Sequence, residues 1–328
     1  MRKNKKPAGL LGIVLLSALL CSCSVNPSPP ASNGNPLITD YNPSVKVVVA
    51  SDFGKEILLE KTVEIGQNTT ALDALQQVAE VETKYGGGFI RAINGISSEY
   101  EGVNRIRKDW LFYVNGISAN IGAGDYILRD GDIEHWEFRD WSFGQFVPAI
   151  IGDFPEPFLH GYGGVVYSTI IAYQGGWEGD ARRIADRLSQ LGVKSIHTKS
   201  INALMLNEKE SSNLILLGTI DCRSMEELNQ IWDRLGFYIH FKDDRLKVFA
   251  MEGNLATEYT AEAGFIQATQ SPWNPKGIGV CENVVWVVSG LDETGVKNAV
   301  DNLVSHHDGF EYACGIVLAG GEIIRVPQ

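Results

Sequence analysis

The sequence predicts an α+β protein with two folded parts, and three observations predict it. The chain has 328 residues, 44% hydrophobic and 21% charged, with 35 Gly and 12 Pro. That is ordinary globular composition with room for about two domains, and it excludes collagen, coiled coils and wholly disordered chains. Residues 45–142 read as strands around one helix, whereas strand and helix alternate from about residue 163. Between them, residues 143–162 are rich in Gly, Pro and aromatics, including Phe154-Pro-Glu-Pro-Phe158.

The amino-terminal segment is expected to be removed. Arg2, Lys3, Lys5 and Lys6 precede an apolar run from Leu10 to Leu20. That run is too short to cross a bilayer, which takes roughly 20 apolar residues as a helix. Leu20-Cys21-Ser22-Cys23 follows, and it resembles the lipobox of bacterial lipoproteins. Ser22 is a suitable small residue before Cys23, whereas Leu20 before Cys21 is too large. The resemblance implies a signal peptide over 1–22 and a mature terminus at Cys23 carrying acyl chains such as palmitate. It places the body at the extracytoplasmic face of the cell membrane; several chains on one residue would hold it there firmly. Residues 23–44 are Ser, Asn, Gly and Pro with little apolar content, and read as a flexible tether.

Losing those four basic residues takes the formal charge from −12 to −16. Nucleic acid is therefore not expected as a partner. Cys222, Cys281 and Cys314 are the cysteines of the mature body. Their wide spacing offers no Cys-x-x-Cys site; one disulfide with a free thiol, or three buried thiols, are both open.

In the first part, Val45–Val49 and Ile57–Ile65 read as strands, turning at Gly66-Gln-Asn68. Thr70 and Asp73 form a capping-box-like pair for a helix with Leu72, Leu75, Val78 and Ala79 on one face. Phe89–Ile93, Trp110–Val114 and Asp132–Phe138 are three further strands. This β-β-α-β-β-β order, one helix covering a mixed sheet, is β-grasp-like. Residues 143–162 are expected to pack as a linker, since Phe143, Phe146, Phe154 and Phe158 would otherwise lie in water.

Residues 163–328 read as a mixed α/β sandwich. The expected order starts with a strand over Val165–Ala172 and a helix faced by Ala181, Ile184, Ala185, Leu188 and Leu191. A strand over Asn213–Gly218 follows. A second helix begins at Ser224 with Glu227 as capping partner, faced by Leu228, Ile231, Trp232 and Leu235 and stopped at Gly236. A hairpin turns around Lys242–Arg245. Val284–Val288 leads to a third helix capped by Asp292, and a final strand pair turns at Gly320-Gly321.

Within the first part, Asp109-Trp-Leu-Phe-Tyr-Val-Asn-Gly116, Gly122-Ala-Gly-Asp-Tyr126 and Asp130-Gly-Asp132 with the closing aromatic strand to Trp141 occur in order. Gly87-Gly88-Phe89-Ile90 and Asn94-Gly95 lie upstream. Together these motifs resemble the transcobalamin-like C-terminal domain, over about residues 45–142. In the vitamin B12 carriers that domain closes over one face of a corrinoid while a helical barrel holds the other, and this sequence lacks such a barrel. The resemblance implies cobalamin or a related corrinoid as ligand. Its ligand-facing loops map to Gly87, Gly88, Phe89 and Ile90, and to Ser118, Asn120 and Ile121, with Tyr126 beside them. Such a site asks for apolar cover, a few amide partners and little charge. Phe89 and Ile121 can cover ring carbons, while Ser118 and Asn120 can bond amides. Trp110, Tyr113 and Trp136 sit in strands as packing residues.

Residues 213–218 and 283–295 loosely resemble surface-layer-associated and exopolysaccharide-associated α/β domains. No Walker, dinucleotide-binding, Gly-x-Ser-x-Gly or His-Glu-x-x-His motif occurs, and no carboxylate pair is singled out, so no enzyme is expected. The expectation is a non-catalytic surface lipoprotein that binds a corrinoid between its two parts, for capture or for delivery to an uptake system such as a membrane transporter. The alternative is an adhesion lipoprotein binding a cell-wall or extracellular polymer. His160 and His240 are the histidines weighed for cobalt; the sequence selects neither.

Overall fold

The structure, a computed structural model, describes residues 42–84, 88–101, 106–141 and 146–328. Cys23, Gly87 and Phe143 lie outside them. Among the described residues no helix is long and apolar enough to cross a membrane.

The first part runs β1 (Ser44–Ser51), β2 (Glu56–Glu64), α1 (Ala71–Val78), β3 (Val81–Lys84), β4 (Phe89–Ile93), β5 (Ile96–Ser97), β6 (Glu99–Glu101), β7 (Ile106–Val114), β8 (Ile117–Ser118) and β9 (Ile133–Asp140). One mixed sheet has the order β2-β1-β9-β7-β6, with β8 pairing β7. β1 and β9 are parallel and the other neighbours antiparallel. The expected strand at Phe89–Ile93 is present, but it belongs to a separate small sheet, β3-β4-β5. α1 is capped as expected: Asp73 N–H donates to Thr70 Oγ1 at 3.1 Å and Thr70 N–H to Asp73 Oδ2 at 3.0 Å.

The second part runs β10 (Thr169–Tyr173), α2 (Glu178–Gln190), β11 (Ile196–Ser200), α3 (Leu206–Ser211), β12 (Asn213–Thr219), α4 (Arg223–Gln230), β13 (Ile239–Lys242), β14 (Arg245–Phe249), β15 (Leu255–Tyr259), β16 (Gly264–Gln270), β17 (Val284–Gly290), α5 (Glu293–Ser305), β18 (Gly315–Ala319) and β19 (Glu322–Val326). Its main sheet has the order β11-β10-β12-β17-β16-β18-β19, and β13-β14-β15 form another sheet. The period of two sorts each strand's side chains between the sheet's faces. Ile171, Ile215, Leu217, Trp286 and Val288 share a core with α2 and α5. Ile170, Leu214, Leu216, Val285 and Val287 share another with Met225 and Leu228 of α4. Helices therefore lie on both faces, and the chain is a mixed α/β protein of several sheets.

Several expected boundaries move. β10 starts at Thr169, not Val165, and Val165 and Val166 are exposed. α4 has Cys222 at its N-cap with no side-chain cap, so the Ser224–Glu227 box does not form. The Ser224 hydroxyl instead accepts from Lys209 at 3.3 Å. Asp292 caps α5 through Gly295 N–H at 2.9 Å. Cys222, Cys281 and Cys314 are buried free thiols. Of the linker phenylalanines, Phe158 is buried and Phe154 packs on Trp286, whereas Phe146 is exposed.

Residues 42–328 form one compact unit. The two parts meet where loops approach with very close backbone contact. Gly152 N–H donates to Ala313 O at 2.9 Å and Tyr312 N–H to Gly152 O at 2.8 Å. A Cβ on Gly152 would stand 2.1 Å from Ala313 N, and one on Gly54 would stand 2.0 Å from Tyr312 O. β9 is buried on both faces: Trp136 and Phe138 join the core shared with α1, while His135, Glu137 and Arg139 turn to the junction.

Candidate functional site

The sequence places two candidate loops in the first part, and a tight hairpin sets one of them. Asn115 and Gly116 join β7 to β8 with φ of 52° and 72°, the paired positive values a type I′ turn needs. Asn115 is fully buried, and every bond it makes serves the fold. Its Nδ2 donates to Asp132 Oδ1 and Gly161 O, both at 2.7 Å, and its Oδ1 accepts from Ile133 N–H at 2.8 Å. Asp132 Oδ2 accepts from Arg129 N–H at 2.8 Å. Burial nevertheless holds the Asp132 carboxyl above its ordinary range. The Asn-Gly and Asp-Gly-Asp motifs thus lock the hairpin to the start of β9. Trp110 and Tyr113 also pack, with Trp110 Nε1 donating to Ile96 O and Tyr113 Oη to Val147 O, each at 3.0 Å.

The chain leaving β8 carries Ser118, Asn120 and Ile121. Ser118 N–H donates to Pro148 O at 3.0 Å and Ala119 N–H to Phe112 O at 2.9 Å, which anchors the base of the loop. Tyr162 holds its tip: Asn120 N–H donates to Tyr162 Oη, and that hydroxyl donates to Asn120 Oδ1, both at 3.1 Å. Asn120 Nδ2 makes no hydrogen bond among the described residues. Asn120 is exposed, Ile121 is 48% exposed, and Ser118 is half-buried.

The second loop stands against the first. The Cβ position of Gly122 lies 3.4 Å from Gly88 O and 3.7 Å from Gly88 Cα, so glycines on both sides permit the approach. Gly88 is exposed and Phe89 half-buried. The structure therefore brings Gly88 beside Gly122, and Phe89 is the next residue along the chain. Ile90 and Tyr126 are placed otherwise. Both are buried in the core, and Tyr126 Oη accepts from Gly163 N–H at 2.8 Å. Its burial also pushes the phenol up. Their places show packing as their role. Gly87 lies outside the described residues.

Sequence reasoning missed Tyr162, the residue that fixes Asn120. The Gly161-Tyr-Gly-Gly164 run was the available signal, an aromatic set among residues that permit close approach.

Among the described residues, the junction beside β9 offers no space for the ligand expected between the two parts. The junction is filled by buried polar and aromatic groups and encloses a void of only about 10 Å³ lined by Phe53, Tyr113, His135, Glu137, Arg139 and Cys314 among others. His135 Nδ1 lies 2.9 Å from Asp153 Oδ1, and its Nε2 is 3.7 Å from Glu137 Oε2, a charge contact too long for a hydrogen bond. Glu137 accepts from Phe53 N–H at 2.5 Å and Gly54 N–H at 3.2 Å. The Arg139 guanidinium donates to Tyr113 Oη at 3.0 Å and lies 4.7 Å from the Phe53 ring centre. Burial alone would lower the His135 pKa; Asp153 and Glu137 outweigh it and raise it to about 9. Cys314 is pushed up to about 12 by burial, so it is no ready nucleophile. Among the described residues, this part of the junction has no room for a macrocycle.

The two histidines weighed for cobalt have different surroundings. His160 Nδ1 is 2.5 Å from Glu156 Oε1, and its ring lies against Gly131. The hydrogen bond to Glu156 raises its pKa. His240 stacks on Trp232 at 4.9 Å between ring centres, and burial lowers its pKa. Among the described residues no group of three His, Cys, Asp or Glu is arranged to hold a metal ion.

Set against known proteins, residues 68–140 match a family described as a domain of unknown function (DUF4430). No curated protein matches the chain. Among solved structures, one similar chain comes from Ruminococcus gnavus ATCC 29149 and is provisionally named a metal binding protein. It is 16% identical, with 30% of this chain and 97% of that one covered and a TM-score of 0.23. Another is haptocorrin in complex with Cbi, 20% identical over 31% of this chain, with a TM-score of 0.23. The match spans 26% of the haptocorrin chain.

Proposed function

We propose that this chain is a non-catalytic binding protein that engages one face of a corrinoid on the rim formed by residues 88–89 and 118–122. The contact of Gly122 with Gly88 carries this reading. It sets two loops side by side, with an exposed Ile121, a half-buried Phe89 and an exposed Asn120 whose amide hydrogens have no partner among the described residues. Apolar cover beside a few fixed amide partners suits a broad, weakly charged ring system bearing amide side chains. The ordered motifs that resemble the transcobalamin-like domain support the same ligand, as does reading the β1-β9-β7 sheet with α1 as a β-grasp arrangement. With the junction filled, the opposite face of the ligand is left to water or to a receiving transporter.

The same reading places the protein on the outer face of the cell membrane, held by acyl chains on Cys23, with residues 23–44 as its tether. Metabolic labelling with palmitate, lost on Cys23→Ser, tests the anchor. Equilibrium titration with cobinamide and cyanocobalamin, followed in the visible spectrum, tests the ligand. Saturable binding is expected, weakened at least five-fold by Ile121→Asp. No saturation at high micromolar corrinoid contradicts the reading.

A further inference from the structure

A cavity of about 410 Å³ opens on the face of the main sheet that carries α4. Its lining is mixed: the apolar side chains of Met225 and Leu228 from α4, Ile239 from β13, Phe265 from β16 and Val287 from β17 stand beside polar ones, Asn229 and Gln267 among them. Phe265 and Gln267 point the same way from β16, being two residues apart in a strand, and Gln267 also lines the cavity. The mouth is fixed by Asn229, which treats β13 as a neighbouring strand would. Its Oδ1 accepts from Phe241 N–H at 2.8 Å and its Nδ2 donates to Phe241 O at 2.7 Å. The space is thus formed before anything enters it, which lowers the cost of binding.

Gln267 supplies the second observation. The residue is 6% exposed, and its Nε2 donates to Ile239 O at 3.3 Å, which settles the orientation of the amide. Its Oε1 is buried and has no hydrogen-bond partner among the described residues. An unpaired buried acceptor is costly, and ligand sites combine apolar walls with a few such placed polar groups. Charged side chains (Asp221, Glu226 and Lys242) are exposed at the rim, so an ionised ligand would find no counter-charge in the depth.

We infer that this cavity is a second binding site, for a small uncharged apolar molecule bearing one N–H or O–H donor. The apolar body packs against Met225, Leu228 and Phe265, and the donor bonds Gln267 Oε1. The site is separate from the corrinoid rim and does not depend on it.

Indole and 1-methylindole form the test pair, since they differ in the one donor. In calorimetric titrations of the purified protein, indole is expected to bind about five- to ten-fold more tightly, the ratio of one net buried hydrogen bond. Gln267→Leu should bring the ratio to about one while 1-methylindole still binds. Independently of any variant, methyl-labelled methionine spectra of the wild type should show indole shifting the Met225 resonance and leaving exposed Met205 in place. Absence of saturable binding, equal affinities in the wild type, or a still Met225 signal overturns the inference.

Discussion

Replacing Asn115 by Ala should destabilise the protein by about 3–6 kcal/mol, although the residue touches neither candidate site. The side chain makes three buried hydrogen bonds, at 2.7, 2.7 and 2.8 Å. Ala leaves Asp132 Oδ1, Gly161 O and Ile133 N–H without those partners, at about 1–3 kcal/mol for each group left unpaired, less whatever an entering water recovers. Ala must also adopt φ of 52°, which costs about 1–2 kcal/mol more than in Gly. Asn115→Gly should therefore be about 1 kcal/mol less damaging than Asn115→Ala. Asn115→Asp separates shape from chemistry. It keeps the acceptor for Ile133 but turns a carboxylate oxygen toward that of Asp132, so it should be at least as harmful as Ala at pH 7. Below about pH 5 it should regain stability, as the pair shares a proton. Urea unfolding followed by tryptophan fluorescence measures all three. An Ala variant within about 1 kcal/mol of wild type, or an Asp variant equal to wild type at pH 7, would refute this account of the hairpin.

Gly152→Ala should cost more than about 3 kcal/mol in the same assay, because the new Cβ would meet backbone 2.1 Å away and the junction must part. His135 makes stability depend on pH. Its folded pKa is raised to about 9 from an ordinary value near 6.5, so its contribution is full below about pH 6.5 and is lost as pH rises through 9. Asp153→Asn should flatten that loss. Glu134 is buried, and burial raises its pKa well above the ordinary value despite the 2.6 Å hydrogen bond from Trp136 Nε1. A raised carboxyl pKa means stability falls as pH climbs above about 4.5, so Glu134→Gln should be near neutral at pH 5 and relatively stabilising at pH 8.

Local chemistry made much of this fold legible, and tertiary context hid the rest. The Thr70–Asp73 cap, the Gly320-Gly321 turn and the Asp292 cap rest on near neighbours, and each stands where the sequence puts it. β16 is the main element that went unread. Gln267, Thr269 and Gln270 make it look polar, yet all three are buried. Gln270 is satisfied from a distant loop, its Nε2 donating to Cys281 O at 2.7 Å, a partner no periodicity reveals. β9 misleads in the opposite way, since Glu134, His135, Glu137 and Arg139 are all buried, and the last three are answered by Asp153, by Phe53 and Gly54, and by Tyr113, far along the chain. At the candidate rim, turn glycines made the loops findable, and Gly88 does lie beside Gly122. Ile90 and Tyr126 shared the motif but not the surface, because adjacency in a motif does not decide which face a side chain takes. The filled junction was beyond reach of the sequence, since the residues that seal it come from Phe53 after β1, Tyr113 of β7, β9, Ile150, and Tyr312 and Cys314 just before β18.

Amide hydrogen exchange, with and without saturating cobinamide, tests the central claim most directly. Added protection is expected at residues 118–122 and 88–90, with no change at residues 135–139 and 312–314. Protection concentrated at the junction, or none anywhere, would contradict a rim that takes one face of the ring.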